Sequence, residues 1–193
     1  MNPKIILASQ SPQRQKLLAS LGIEFEVFPA DIDEKAVIFS DLKTRAEKIA
    51  TAKAKKVAQD RPGAIILAAD TFTVLDQRVF EKPSSLAEAK LMLHSLSGQT
   101  IQDHTGLCFI DPARKLVKIQ TVITLASFRK ISDLEIDRYV ANNPVLTWAG
   151  GFSPAYHEGM GLIAEVHGSL TCLTHGLPLE KVTEFLIESG VSF

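Results

Sequence analysis

The segment Ser9-Gln10-Ser11-Pro12-Gln13-Arg14 places two hydroxyls and a guanidinium between an apolar run and the start of a helical pattern. A strand–loop–helix junction of this kind aims backbone N–H groups at one point and suits an anion. Arg14 adds a permanently charged fork of donors matched to phosphate. The same serines would serve equally as helix caps, and the local sequence leaves both readings open. The segment is neither a Walker phosphate loop nor a GxSxG nucleophile elbow.

Four further charged residues qualify. Ile49, Lys53 and Val57 recur four apart, which puts Lys53 inside the inward stripe of a helix. Its ammonium either snorkels to the rim, as the spacing alone favours, or reaches an anion in a cleft. Asp70 ends the apolar run 64–69, at the carboxyl end of a buried strand, where open α/β sheets bind ligands. A carboxylate there can hold a divalent cation or orient an attacking water. Lys82, in Glu81-Lys82-Pro83, reads as a phosphate contact or as a solvated loop lysine; Glu34, in the acidic run 31–34, as a metal neighbour or as surface. The five histidines show no metal-ligand spacing, and there is no HExxH.

These groups need a frame, and hydrophobic periodicity supplies one. Strands are expected at 4–8, 24–28 and 64–69, a hairpin over 71–80 turning at Asp76-Gln77, and further β structure at 105–110, 117–128 and 162–166. Helices are expected at 13–21, 41–60, 86–96, 131–142 and 178–189, with no regular period over 143–161. Strands alternate with helices, yet some adjacent strands join through short turns, so the fold class is α/β with a mixed central sheet flanked by helices. No repeat, low-complexity tract or linker interrupts the chain, and residues 1–193 are expected to form a single domain.

Composition narrows the partners. The formal net charge is −1 and the pI about 6.5, without the basic excess of a nucleic-acid binder. A small phosphorylated ligand, met by a few placed cations, fits better than a polymer. Cys108 and Cys172 form no disulfide framework, and no stretch approaches a membrane span or a signal-peptide core. A cytoplasmic protein is expected.

The ordered series of motifs resembles the Maf family. It opens with Leu7-Ala8-Ser9-Gln10-Ser11-Pro12-Gln13-Arg14-Gln15-Lys16-Leu17-Leu18, then Asp33-Glu34, Ala52-Lys53-Ala54, Ala69-Asp70-Thr71 and Glu81-Lys82-Pro83. Leu96-Ser97-Gly98, Thr105-Gly106-Leu107 and Gly176-Leu177-Pro178-Leu179 complete it. The resemblance implies a Maf/ITPase-like fold with two lobes around a deep cleft, usually a homodimer. It implies a nucleoside triphosphate pyrophosphatase dependent on Mg²⁺ or Mn²⁺, in a family also linked to arrest of septum formation. Position by position, Asp70 would be the proton acceptor or metal-linked base, with Glu34 near the metal. Ser9, Arg14, Lys53 and Lys82 would hold the triphosphate, which requires the three cations to converge on one hollow beside Asp70.

Family positions tied to base selection correspond to Gln13, Thr71 and Glu158. The branch acting on dTTP and UTP has Arg, Thr and Gln there; the branch acting on 7-methyl-GTP has Trp, Gln and Glu. This sequence mixes the two. Trp148-Ala149-Gly150-Gly151-Phe152, and Ile101 in place of a histidine, lean towards the 7-methyl-GTP branch, while the segment 153–157 is lengthened relative to the family form. Glu158 points the same way physically, since a carboxylate can accept from guanine N1–H and the exocyclic amine and suits a 7-methylated ring. The alternatives are a dTTP/UTP pyrophosphatase and a non-catalytic nucleotide-binding regulator of cell division.

Overall fold

The computed structural model describes residues 3–39, 41–155 and 157–192, so Tyr156 of the lengthened 153–157 segment lies outside the described residues. The elements are β1 (Ile5–Leu7), α1 (Pro12–Ala19), β2 (Glu26–Val27), a 3-10 turn (Glu34–Ala36), α2 (Leu42–Asp60), β3 (Ile65–Leu75), β4 (Arg78–Phe80) and α3 (Leu86–Leu96). There follow β5 (Thr100–Asp111), β6 (Leu116–Phe128), α4 (Asp133–Asn142), 3-10 turns at Val145–Thr147 and Ala149–Gly151, α5 (His157–Met160), β7 (Ile163–His167), α6 (Leu170–His175) and α7 (Leu179–Glu188). Hydrogen-bonded neighbours run β2-β1-β3-β5-β6-β7, with β4 on β3. β1 is parallel to β2 and β3, whereas β4 and β7 run antiparallel to β3 and β6. The sheet is mixed, as expected.

The chain forms two compact units. One takes the chain up to Thr71, Thr105–Val122 and the segment from His175; the other takes Phe72–His104 and Ile123–Thr174. In the first unit the strands are covered on both faces, which is why they read as unbroken apolar runs. Ile5, Leu7, Ile65, Leu67, Ala69, Leu107 and Phe109 pack with Leu18 of α1 and with Val182, Phe185 and Leu186 of α7. The alternate residues Ile6, Ala8, Ile66, Ala68 and Cys108 pack with Ala50, Ala54 and Val57 of α2. The two-residue period of a strand thus assigns the β3 side chains from Ile65 to Ala69 alternately to the α1/α7 face and to the α2 face.

The second unit has its own core, in which Phe80, Leu93, Leu96, Ile101, Phe128, Tyr139, Trp148 and Phe152 are buried together. Phe128 and Phe152 meet edge to face at 4.8 Å between centroids. α4 starts at a capping box, with Ser132 accepting from the Glu135 N–H and Glu135 returning a carboxylate to the Ser132 N–H.

Two expectations need correction. The strand read as 64–69 does not stop at Asp70: β3 continues to Leu75 because Phe72, Thr73 and Val74 keep its β-prone, buried character, so Asp70 lies within the strand. The anticipated turn follows, with Asp76 and Gln77 at φ 48° and 69°. α6 was not anticipated, since Leu-Thr-Cys-Leu-Thr-His carries little helical preference of its own. Among the described residues no helix is long and apolar enough to cross a membrane. Both cysteines are buried and free.

Candidate active site

β1 ends at Leu7, paired with Leu67, while β3 runs on beyond that level. The side chains of Asp70 and Thr71 therefore stand where the neighbouring strand has already left the sheet. Strand alternation sends them opposite ways: Asp70 follows Ile66 and Ala68 onto the α2 face, and Thr71 follows Leu67 and Ala69 onto the α1/α7 face.

On the α2 face, Lys53 Nζ donates to Asp70 Oδ1 at 2.9 Å and lies 2.8 Å from Glu34 Oε1. Lys53 and Asp70 are each 13% exposed and Glu34 is 52% exposed, so the pair sits at depth with one solvated carboxylate at its mouth. Lys53 is delivered by the inward stripe of α2, whose Ala50, Ala54 and Val57 are buried on the sheet. Its ammonium does not end in open solvent, as the snorkelling reading required; two carboxylates hold it. Glu34 is presented by the 3-10 turn, which Asp33 caps by accepting from the Lys35 N–H at 3.0 Å.

On the other face, α1 presents Arg14 one turn after its cap. Ser11 is that cap, accepting from the Arg14 N–H, and Pro12 fits the first turn. The Arg14 guanidinium donates to the Gly176 carbonyl at 2.8 Å, the Thr71 hydroxyl at 3.0 Å and the Ser9 hydroxyl at 3.3 Å. These three acceptors, all neutral, orient the fork. Ser9 is buried and also accepts from the Ser11 N–H at 3.2 Å, so Ser11 does the capping while Ser9 braces the loop before it. Gln13 accepts from the Ser11 hydroxyl at 3.2 Å.

The first unit therefore holds two clusters on opposite faces of β3, Ser9, Gln13, Arg14 and Thr71 on the α1/α7 side and Glu34, Lys53 and Asp70 on the α2 side. Both cations are tied to consecutive residues of one strand, whose Cα atoms lie about 3.8 Å apart. Lys82 and Glu158 belong to the second unit, where Lys82 is exposed and Glu158 accepts from Asn143 Nδ2 at 2.7 Å. Two residues of the Arg14 network had no assigned role. Thr105, fully buried, touches Thr71 Oγ1 at 3.1 Å, and Gly176 supplies the carbonyl. Each lies within a motif quoted above, but only the fold shows what it contacts. Groups of three or more potential metal ligands are absent among the described residues.

Known proteins of similar sequence extend over the same span. The chain is 36% identical over 192 residues to the dTTP/UTP pyrophosphatase of Anaeromyxobacter dehalogenans (strain 2CP-C), covering 98% of this chain and 96% of that protein. It is 33% identical over 190 residues to the 7-methyl-GTP pyrophosphatase of Nitrosococcus oceani, covering 97% and 94%. Among solved structures, a HAM1 protein from Coxiella burnetii shares the fold with a TM-score of 0.55 at 17% identity, over 96% of this chain and 99% of that one. With the Maf-like protein family matching residues 4–189, from the first strand to the last helix, this chain belongs to that family.

Proposed function

We propose that this chain is a nucleoside triphosphate pyrophosphatase, cleaving between the α- and β-phosphates to release a nucleoside monophosphate and pyrophosphate. The observation that carries the reading is the attachment of Arg14 and Lys53 to the adjacent residues Thr71 and Asp70, with a second carboxylate, Glu34, on the same ammonium. The activities in the two relatives' names agree with it.

Anhydride hydrolysis asks a protein for charge neutralisation and an aligned water more than for a covalent nucleophile. Arg14 and Lys53 meet the phosphate oxygens, joined by the Ser9 hydroxyl and by Lys82. Lys53 holds Oδ1 of Asp70, and the other carboxylate oxygen orients the attacking water and takes its proton. Glu34 and Asp70 bring two hard oxygen donors to one point, a set that fits Mg²⁺ or Mn²⁺, since such ions bind through one or two carboxylates plus phosphates and water. When bound, the cation supplies further charge neutralisation on the phosphates.

Of the family positions Gln13, Thr71 and Glu158, Gln13 and Glu158 are the proposed base selectors, and the exposed Glu158 carboxylate favours a 7-methylated guanine. The dTTP/UTP alternative is favoured by the name of the Anaeromyxobacter relative. The reading takes residues 1–193 as one working domain, homodimeric and cytoplasmic, engaging neither nucleic acid nor membrane; sedimentation checks the dimer.

The deciding measurement is pyrophosphate release from UTP, dTTP, GTP and 7-methyl-GTP with Mg²⁺ or Mn²⁺. Asp70→Asn should lower kcat by about 10²–10⁴-fold, the usual worth of a placed general base. Turnover unaltered by that substitution removes Asp70 from the role. Tight nucleotide binding without turnover under either cation points instead to a non-catalytic regulator of cell division.

A further inference from the structure

We infer that Thr105, Thr71 and the Gly176 carbonyl form a latch that fixes the angle of the Arg14 guanidinium, so that Thr71 and Thr105 are positioning residues for phosphate binding and Thr71 does not read the base. The inference rests on the reading of Arg14 as a phosphate ligand.

A threonine hydroxyl has one proton to give and two lone pairs to receive. Thr71 Oγ1 lies 3.3 Å from the Gly176 carbonyl, to which it donates, 3.0 Å from the Arg14 terminal nitrogen, from which it accepts, and 3.1 Å from Thr105 Oγ1. Whichever hydroxyl of the Thr71–Thr105 pair donates, three polar neighbours already surround Thr71 Oγ1. That commits the hydroxyl to the Arg14 network rather than to the edge of a nucleobase. Thr105 is fully buried, so it reaches a nucleotide only through Thr71.

Gly176 closes the latch from the other side. Its carbonyl receives both Arg14 Nε at 2.8 Å and the Thr71 hydroxyl, so two points of the fork are fixed in one plane. Its backbone sits at φ +65°, and a Cβ there would come within 2.8 Å of Thr71 Oγ1 and 3.1 Å of an Arg14 terminal nitrogen. The close approach of Arg14 thus needs glycine at 176. A bidentate donor set loses much of its advantage when the fork can swing, and that loss falls on phosphate, whatever base is attached.

The test uses the full chain and two readouts: calorimetric affinity for inorganic tripolyphosphate, which has no base, and KM and kcat for each nucleotide turned over. Thr105→Val keeps the shape and removes the hydroxyl; Thr71→Val does the same one step closer and carries the test if the first variant fails to fold. Each should weaken tripolyphosphate binding about tenfold, the worth of one hydrogen bond to a charged group, and raise KM by a similar factor for every nucleotide. Thr105→Ser, which retains the donor, should restore most of the affinity. A changed ratio between nucleotides with tripolyphosphate affinity intact would make Thr71 a base reader and overturn the latch, as would Thr variants that bind like the parent. Arg14→Ala separates the two levels. If it leaves tripolyphosphate affinity unaltered, the phosphate role of Arg14 falls; if it weakens binding while the Thr variants do not, only the latch falls.

Discussion

At Gly176 a single methyl group would meet two kinds of resistance. The left-handed backbone costs an alanine about 1 kcal/mol or more, and the added carbon would press on the Thr71 hydroxyl and the Arg14 fork. Gly176→Ala should therefore lower both the thermal midpoint and the affinity for tripolyphosphate, read by scanning calorimetry and titration. A variant with full affinity and only reduced stability would show that Arg14 tolerates displacement. At this scale the sequence was partly legible. Lys53 stood out because an ammonium on an inward helical stripe needs a partner, and the partners are Asp70 and Glu34. Asp70 was found for a partly mistaken reason, since a polar residue after six apolar ones imitates a strand end. The contacts of Thr105 and Gly176 were not legible: they join positions 34 and 105 residues from Thr71, and no local pattern encodes a pairing at that distance.

Among the elements, α2 and β5 approach closely at Gly106. A Cβ there would lie 2.1 Å from the Ala46 carbonyl carbon and 2.4 Å from the Glu47 nitrogen, both backbone atoms of the helix. Neither can step aside as a flexible side chain would, so Gly106→Ala must move the helix that carries Lys53. The expected cost is about 1–3 kcal/mol, the usual range for overpacking, with a loss of turnover besides. Denaturant unfolding paired with an activity assay checks it; an unchanged midpoint would mean the helix shifts freely. Element types were mostly readable because periodicity reports them directly: α3 falls on its expected residues, and Ser132 caps α4. Boundaries failed where burial alone extends an element, as in β3, and where tertiary packing imposes helix on weak formers, as in α6 with Cys172 and Leu173 buried.

Over the whole molecule, the half-buried His175 and the buried Cys108 and Tyr139 set a window of pH stability. Burial first, and the Lys16 charge second, hold His175 below its ordinary 6.5. A depressed folded pKa gives stability that is complete above 6.5 and is lost as pH falls. Burial acts oppositely on the acids, pushing the Cys108 thiol from 9.0 to about 11 and the Tyr139 phenol from 10.0 to about 12. Those contributions are complete below pH 9.0 and fade as pH rises towards the folded values. Thermal midpoints should accordingly plateau between pH 6.5 and 9.0 and fall on either side; a midpoint still climbing at pH 10 would contradict the assignment. The β3–β4 hairpin has a different bearing on stability. Asp76 and Gln77 both occupy left-handed backbone, which an aspartate adopts readily but a glutamine only at a cost of about 1 kcal/mol. Gln77→Gly, alone or with Asp76→Asn, should raise the melting temperature by about 2–4 °C per kcal/mol relieved. Neither position belongs to the proposed site, so this connection is where engineering for a longer-lived catalyst can begin at little risk to turnover.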